Sequence, residues 1–205
     1  MNINTIIFDL GGVIIDLNEQ ATVDAFLTLS GKPLQQIKHL YESSDIFKSH
    51  ERGLISNNEF RSKLKDLLEI SVSDIELDKA WNAMLGEIPI ERLKLLNHLK
   101  KKFQIFILSN TNDIHETFFT QKVKDVSGKL SLRDFTDQIY YSHELHLRKP
   151  DQEIYEKVLQ LSQIDPKETL FLDDKKENLL GAESVGIQTM HVSDPNQIFD
   201  LEKYV

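Results

Sequence analysis

Four short segments carry side chains that could do chemistry together. They are Asp9-Leu10-Gly11-Gly12, Ser109-Asn110-Thr111-Asn112, Arg148-Lys149-Pro150 and Asp173-Asp174. A carboxylate can act as a nucleophile, paired carboxylates suit a hard cation such as Mg²⁺, and a lysine can neutralise an anion. Each segment also has a structural explanation, because Asp, Asn and Ser often cap helices or form turns, and Lys149 could be a solvated loop residue.

The apolar pattern predicts strands that would bring these segments together. Short apolar runs, typical of buried parallel strands, lie at 5–8, 104–108, 169–172 and 187–192, with a weaker one at 138–141. Helical patterns at 90–101, 151–162 and 175–185 alternate with them, which predicts an α/β fold with a doubly wound parallel sheet. Ligands bind beyond the carboxyl ends of such strands, so all four segments are expected at one edge.

The stretch from 18 to 88 shows helical patterns and no strand pattern. Ser56 with Glu59, and Ser73 with Glu76, fit capping boxes that begin two helices. We therefore expect an all-helical cap over 18–88, inserted into an α/β core made of 1–17 and 89–205. The tetrad His50-Glu51-Arg52-Gly53 fits a helix end with Gly53 as a left-handed cap. A second, compatible interpretation has part of this tetrad facing a substrate.

Composition narrows the function classes. The chain has 205 residues and a net charge of -9, which disfavours nucleic acid as a partner. It has no cysteine, which excludes disulfides, cysteine nucleophiles and thiolate metal sites and fits a reducing cytoplasm. No signal peptide or membrane span is recognised, so a cytoplasmic protein without membrane contact is expected. The expected state is a monomer or a homodimer. His143 and His146 have no metal-site spacing and are interpreted as loop residues.

The four segments resemble the motifs of the haloacid dehalogenase superfamily. The matching stretches are Phe8-Asp9-Leu10-Gly11-Gly12-Val13, Leu108-Ser109-Asn110, Arg148-Lys149-Pro150, and Phe171-Leu172-Asp173-Asp174 with Asn178. They follow the order of the family between residue 5 and about residue 192, and the cap occupies the place of a helical first cap. The Asp-Leu-Gly start, the cap tetrad and the second and third segments are most similar to bacterial α-D-glucose-1-phosphatases of that subgroup.

This resemblance implies a Mg²⁺-dependent phosphohydrolase that acts on a small phosphate ester, with Asp9 as the nucleophile and Lys149 as the second catalytic residue. An aspartyl phosphate would form on Asp9. Phosphate binding is assigned to Asp9, Leu10, Gly11, Ser109, Asn110 and Lys149. Here the backbone N–H of Asn110 is expected at a helix start, where phosphate binds well. The resemblance also implies Asp9, the Gly11 carbonyl and Asp174 as metal ligands, with Asp173 as an outer or additional ligand.

Gly11 departs from the family pattern. Many members have a second Asp there, which acts as general acid and then base, a role worth about 10²–10⁴-fold in rate. An anomeric hydroxyl leaves more easily than an ordinary alcohol, so a sugar 1-phosphate such as α-D-glucose 1-phosphate suits a site without that acid. Gly11 could also meet a backbone angle that Asp tolerates badly. The alternative function is a non-catalytic member of the fold that binds a phosphometabolite or a protein partner.

Overall fold

The computed structural model describes residues 3–203, apart from the side chains of Glu42 and Glu202. Its strands are β1 (Thr5–Phe8), β2 (Gln104–Ser109), β3 (Gln138–Tyr141), β4 (Thr169–Asp173) and β5 (Gln188–His191). They form one parallel sheet in the order β3-β2-β1-β4-β5. The predicted α/β fold is confirmed, and each expected strand is present, including the weak one.

The described residues form ten α-helices. They are α1 (Glu19–Ser30), α2 (Leu34–Ser43), α3 (Ile46–Glu51), α4 (Asn57–Leu68), α5 (Asp74–Trp81), α6 (Ile90–Leu99), α7 (Asp113–Ser127), α8 (Ser142–Leu145), α9 (Gln152–Ser162) and α10 (Lys176–Glu183). The helices predicted at 90–101, 151–162 and 175–185 therefore match α6, α9 and α10. None of the described helices is long and apolar enough to cross a membrane.

The two faces of the sheet bury separate apolar clusters, as alternation along a strand requires. Ile6 and Phe8 of β1 belong to the cluster that includes α6 and α7, whereas Ile7 belongs to the cluster that includes α9 and α10. The sheet is thus covered by helices on both sides. β3 and β5 form the two edges of the sheet. β5 differs from the other strands because all of its residues are half-buried or exposed.

The helices α1 to α5 pack around a third apolar cluster of their own. Both capping boxes are formed: Ser56 accepts from the backbone N–H of Glu59, and Ser73 from that of Glu76. In each box the Glu side chain accepts in return from the backbone N–H of the Ser. This clustering agrees with a helical cap, while its boundaries at 18 and 88 stay a prediction.

Candidate active site

Three of the predicted site residues come at the carboxyl ends of neighbouring strands. The last residue of β1 pairs with Ile107 of β2 and with Leu172 of β4, so the three strands end almost level. Asp9 directly follows β1, Ser109 is the last residue of β2, and Asp173 is the last residue of β4. The parallel register therefore places a carboxylate, a hydroxyl and a second carboxylate along one edge of the sheet.

Lys149 reaches this edge from the loop between α8 and α9. Its Nζ lies 2.7 Å from Oδ1 of Asp9 and 2.6 Å from Oδ2 of Asp173. The lysine is 1% exposed and Asp173 is fully buried, so this ion pair is shielded from water. Buried charges attract each other much more strongly than exposed ones, which fixes the ammonium beside the nucleophile candidate.

Asn110 holds the backbone of Lys149 in place. Its Nδ2 donates to the Lys149 carbonyl at 2.9 Å, and its Oδ1 accepts from the Lys149 N–H at 2.9 Å. The expectation of a helix start at Asn110 is wrong, because α7 begins at Asp113 and Asn112 is its cap, accepting from the N–H of His115. Residues 110–112 form a short connection between the end of β2 at Ser109 and the start of α7.

Asp173 and Asp174 have different surroundings. Asp173 accepts from Asn178 Nδ2 at 2.9 and 3.0 Å and from the N–H of Lys175 at 2.8 Å, in addition to Lys149. Oδ1 of Asp174 is buried and has no hydrogen-bond partner among the described residues. Carboxylate oxygens of Asp9, Asp173 and Asp174 lie within 4.8 Å of one another. An unpaired carboxylate oxygen beside two further carboxylates is a fitting place for a divalent cation.

Burial and the neighbouring charges shift the pKa values of both Asp9 and Lys149. Burial raises the pKa of Asp9 to about 7 against the opposing charge of Lys149, and the charge of Asp173 adds to the rise. Burial alone would lower the pKa of Lys149, but the charges of Asp173 and Asp9 outweigh it, and the pKa is raised. A cation bound beside these carboxylates would favour the ionised, nucleophilic form of Asp9.

Gly11 and Gly12, which follow Asp9 in the chain, differ in backbone conformation and in the space available for a side chain. Gly12 has a φ of +78°, and a Cβ there would lie 2.9 Å from the carboxyl group of Asp174. A Cβ on Gly11 would meet only the side chain of Leu17, at 3.5 Å or more, which is ordinary contact. The suggestion that Gly11 serves a special backbone angle is wrong, because its φ lies outside the left-handed region; that constraint belongs to Gly12.

One cavity of about 390 Å³ joins the site to the cap. Of the predicted residues, it touches Asp9, Leu10, Gly11, Ser109, Asn110, Lys149 and Asp174. Asp173 lies behind Lys149 and does not line it. Two ion pairs line the cavity. Nη2 of Arg148 lies 2.9 Å from Oε2 of Glu51, and Nζ of Lys175 lies 2.8 Å from Oε1 of Glu19. The wall on the cap side is mainly apolar and includes Phe26, Phe47 and Trp81.

Residues 3–186 match the family model of the haloacid dehalogenase-like hydrolases. The chain belongs to this family. It is 32% identical to a D-ribitol-5-phosphate phosphatase of Bacteroides thetaiotaomicron over 91% of this chain and 90% of that protein. It is 30% identical to a sesquiterpene phosphatase of Aspergillus oryzae over 92% of this chain and 89% of that one. The prediction of an enzyme of this family is confirmed.

A solved structure agrees with this assignment. A haloacid dehalogenase family enzyme from Bacteroides thetaiotaomicron, in complex with magnesium and inorganic phosphate, superposes with a TM-score of 0.85. It is 35% identical, and the match covers 92% of this chain and 93% of that one. The haloacid dehalogenase-like fold is thus shown along nearly the whole chain.

The cap tetrad mainly joins cap and core in this hydrolase. α3 ends at Glu51, and Gly53 follows with a φ of +62°, so the predicted helix end is confirmed. Nη2 of Arg52 lies 2.6 Å from Oδ2 of Asp151, which precedes α9, and Glu51 forms an ion pair with Arg148. Of the tetrad, Glu51 alone is among the residues described as lining the cavity.

His115 is a cavity-lining residue that the sequence did not single out. It is buried, and its Nδ1 lies 2.7 Å from Oδ1 of Asn82 in the cap. Its ring stacks on Trp81 at 4.7 Å between centroids. Burial lowers the pKa of His115 to about 3, with a small contribution from His50, so the imidazole is neutral. The available signal was its place three residues after Asn112, the N-cap residue of α7. This spacing puts His115 on the first turn of α7, the turn that contacts Asn82.

Proposed function

We propose that the chain is a Mg²⁺-dependent phosphatase that hydrolyses a small sugar or polyol phosphate through an aspartyl-phosphate intermediate on Asp9. The observation that carries this proposal is the buried contact of Asp9 with Lys149 at the floor of a cavity, next to the unpaired Oδ1 of Asp174. The phosphatase relatives and the magnesium and phosphate bound in a solved family member support the same reaction class.

In the first half-reaction, a carboxylate oxygen of Asp9 attacks phosphorus, and the bond from phosphorus to the ester oxygen breaks, so the alcohol leaves as an alkoxide that takes a proton from solvent. In the second, water attacks the phosphorus of the aspartyl phosphate and gives its proton to solvent, and the bond from phosphorus to the Asp9 oxygen breaks. This releases inorganic phosphate and regenerates Asp9. Covalent catalysis of this kind divides one difficult step into two easier ones. Lys149 keeps positive charge beside the transferring group, which carries negative charge on its equatorial oxygens.

Further residues are assigned to binding and positioning. The Ser109 hydroxyl and the backbone at Leu10, Gly11 and Asn110 would hold phosphate oxygens, since all four residues line the cavity. Asp173 and Asn110 position Lys149, the first through its ammonium group and the second through its backbone. Asp173 is better suited to this role than to binding metal, because protein donors already occupy both of its oxygens.

Mg²⁺ would be held by Asp9, Asp174 and the Gly11 carbonyl. When bound, it supplies positive charge that lets the anionic nucleophile and the anionic phosphate approach. The unpaired buried oxygen of Asp174 supports this set, since a carboxylate without a donor is costly unless a cation satisfies it.

Two phosphate esters are candidate substrates. Gly11 favours an anomeric phosphate such as α-D-glucose 1-phosphate, because no side chain at this position can donate a proton to the departing oxygen. D-ribitol 5-phosphate is the second candidate, because a 32% identical relative is a phosphatase named for it. The ion pairs Glu51–Arg148 and Glu19–Lys175 offer hydrogen-bonding groups on the cavity wall that suit the hydroxyls of either compound.

The test is phosphate release by the purified chain with Mg²⁺ from α-D-glucose 1-phosphate, D-glucose 6-phosphate and D-ribitol 5-phosphate. Asp9→Asn is the control for contaminating phosphatases. Faster turnover of the 1-phosphate supports the first candidate, and faster turnover of ribitol 5-phosphate the second. If a broader panel of phosphorylated metabolites and an aryl phosphate also give no release, the alternative of a non-catalytic binding protein replaces this proposal.

A further inference from the structure

A second group of side chains that could hold a metal ion lies away from the catalytic cavity. Nε2 of His143, on α8, is 3.1 Å from Oδ1 of Asp113 and 3.2 Å from Oε2 of Glu116, both on the first turn of α7. One ligand atom from each residue lies within 4.8 Å of the others. None of the three lines the cavity that contains Asp9. His143 belongs to a short helix, so its interpretation as a loop residue is wrong.

The buried histidine separates this cluster from ordinary surface acids. Carboxylates on a first helical turn are explained by the helix dipole, but that does not explain an imidazole aimed at both of them. The His143 side chain is 7% exposed. Its Nδ1 is buried without a hydrogen-bond partner among the described residues. Its other nitrogen therefore makes the polar contacts described for the ring, and both are with these carboxylates.

The donor spacing fits a tetrahedral cation. Ligand atoms about 2.0–2.1 Å from a zinc ion, at tetrahedral angles, are separated by about 3.3 Å. The two nitrogen–oxygen distances of 3.1 and 3.2 Å are close to that edge. The Asp113 and Glu116 oxygens lie within 4.8 Å of each other, so a shift of these two side chains would complete the set of three donors.

The local field and an open approach also favour a cation. Burial alone would lower the pKa of His143, but the hydrogen bond to Glu116 and the charges of Asp113, Glu116 and Glu144 outweigh it and raise the pKa. The same negative potential attracts a divalent ion. A separate cavity of about 430 Å³ touches the cluster and is also lined by Glu144 and His146, so a bound ion could keep a water ligand.

We propose that Asp113, Glu116 and His143 form a second metal site, for a borderline divalent cation such as Zn²⁺, with one coordination position open to the neighbouring cavity. Imidazole nitrogen suits zinc, whereas the oxygen ligands at Asp9 and Asp174 suit Mg²⁺. The site lies where the core meets the cap, because the same cavity is lined by residues 53–56.

The test measures Zn²⁺ binding by equilibrium dialysis and elemental analysis, in a chain whose catalytic metal site is disabled by Asp9→Asn together with Asp174→Asn. This background is expected to retain one bound Zn²⁺ per chain. Adding His143→Ala should weaken binding by about tenfold or more, since loss of a single supporting group already costs that much. Excess Mg²⁺ should compete poorly.

His39→Ala, which removes an exposed histidine on α2, is the matched control and should leave Zn²⁺ binding unchanged. Glu116→Gln removes a ligand charge with little change of shape and serves if His143→Ala fails to fold, as judged by circular dichroism. Absence of Zn²⁺ uptake by the background variant, or equal uptake after His143→Ala or Glu116→Gln, overturns the second site. The result is independent of phosphatase activity, because the background is designed to be inactive.

Discussion

Lys149 Nζ lies 2.7 Å from Oδ1 of Asp9, and both groups are buried. The same ammonium lies 2.6 Å from Oδ2 of Asp173, so one cation pairs with two carboxylates at the carboxyl ends of neighbouring strands. Lys149 therefore has a structural and a chemical role. It offsets the repulsion between the two carboxylates, and it lies where a transferring phosphoryl group would develop negative charge.

Lys149→Met should destabilise the fold as well as abolish turnover. It leaves two carboxylates buried without their cation, and breaking a buried ion pair in this way costs about 3–5 kcal/mol in the free energy of unfolding. Urea denaturation of metal-free protein measures the loss. The double variant Lys149→Met with Asp173→Asn should recover part of it. A single variant as stable as the wild type would show that Lys149 does not hold the site together.

Asp9→Asn should remove phosphatase activity and keep the fold. The amide has the shape of the carboxylate but is not a nucleophile, and losing the nucleophile of a covalent mechanism costs about 10⁴-fold or more in kcat. Stability should not fall, because burial and Asp173 already disfavour the charge of Asp9. Phosphate release and thermal unfolding are the measurements. Asp125→Asn, at an exposed position on α7, is the control, and near wild-type turnover of Asp9→Asn would refute the mechanism.

Activity should require Mg²⁺, and Asp174→Ala should raise the Mg²⁺ concentration needed for half-maximal rate by about tenfold or more. The reason is that Asp174 offers the unpaired buried oxygen of the site. Rates measured across a Mg²⁺ titration, after removal of metal with EDTA, give the answer. Glu177→Gln changes another carboxylate on the same cavity and should have a much smaller effect. Full activity in EDTA would point to a metal-free reaction.

The strands and the capping boxes could be predicted from the sequence because they depend on local patterns. Asp9 and Asp173 could be located because parallel strands bring their carboxyl ends to one edge. The Asn110–Lys149 contact could not, since it depends on two loops that are separated by 39 positions in the chain. Likewise, His143 and its acidic partners lie on different helices, so no spacing along the chain reveals them.

His115 should make the free energy of unfolding depend on pH. Its pKa is lowered from 6.5 to about 3 in the folded state, because burial disfavours the charged ring. Between these two pKa values the unfolded chain binds a proton at His115 that the folded chain does not bind. The free energy of unfolding therefore decreases as the pH falls below about 6.5. At about pH 5 the loss from this group is about 2 kcal/mol relative to neutral pH, since one pKa unit corresponds to about 1.4 kcal/mol.

The measurement is urea denaturation of wild type and His115→Gln at several pH values. The variant cannot titrate at this position, so its stability should fall less steeply between pH 7 and pH 5. Subtraction of the two curves removes contributions of other groups such as His50, whose pKa is also lowered, mainly by burial. Parallel curves would mean that His115 does not account for the acid sensitivity.

Gly11 should make the rate depend steeply on the leaving group. Without a proton donor at this position the departing oxygen carries most of its charge, so its own basicity sets the barrier, and each 1.4 kcal/mol is about tenfold in rate. kcat for α-D-glucose 1-phosphate should therefore exceed kcat for D-glucose 6-phosphate. Because a Cβ at Gly11 meets only Leu17 at 3.5 Å or more, Gly11→Asp should fold normally. It should raise kcat for the 6-phosphate by about 10²-fold, the lower end of the gain from general acid catalysis.

Gly11→Ala separates the carboxyl group from the mere presence of a side chain and should leave kcat for the 6-phosphate low. The comparison has to use kcat, because the cap can change substrate affinity without changing the chemical step. Gly12 is unsuitable for the same experiment, since its φ of +78° and the nearby Asp174 exclude a side chain. Equal kcat values for the two glucose phosphates in the wild type would show that another group lining the cavity donates the proton. Glu51 would then be the first residue to replace, because it is the cap carboxylate beside Arg148 on the cavity wall.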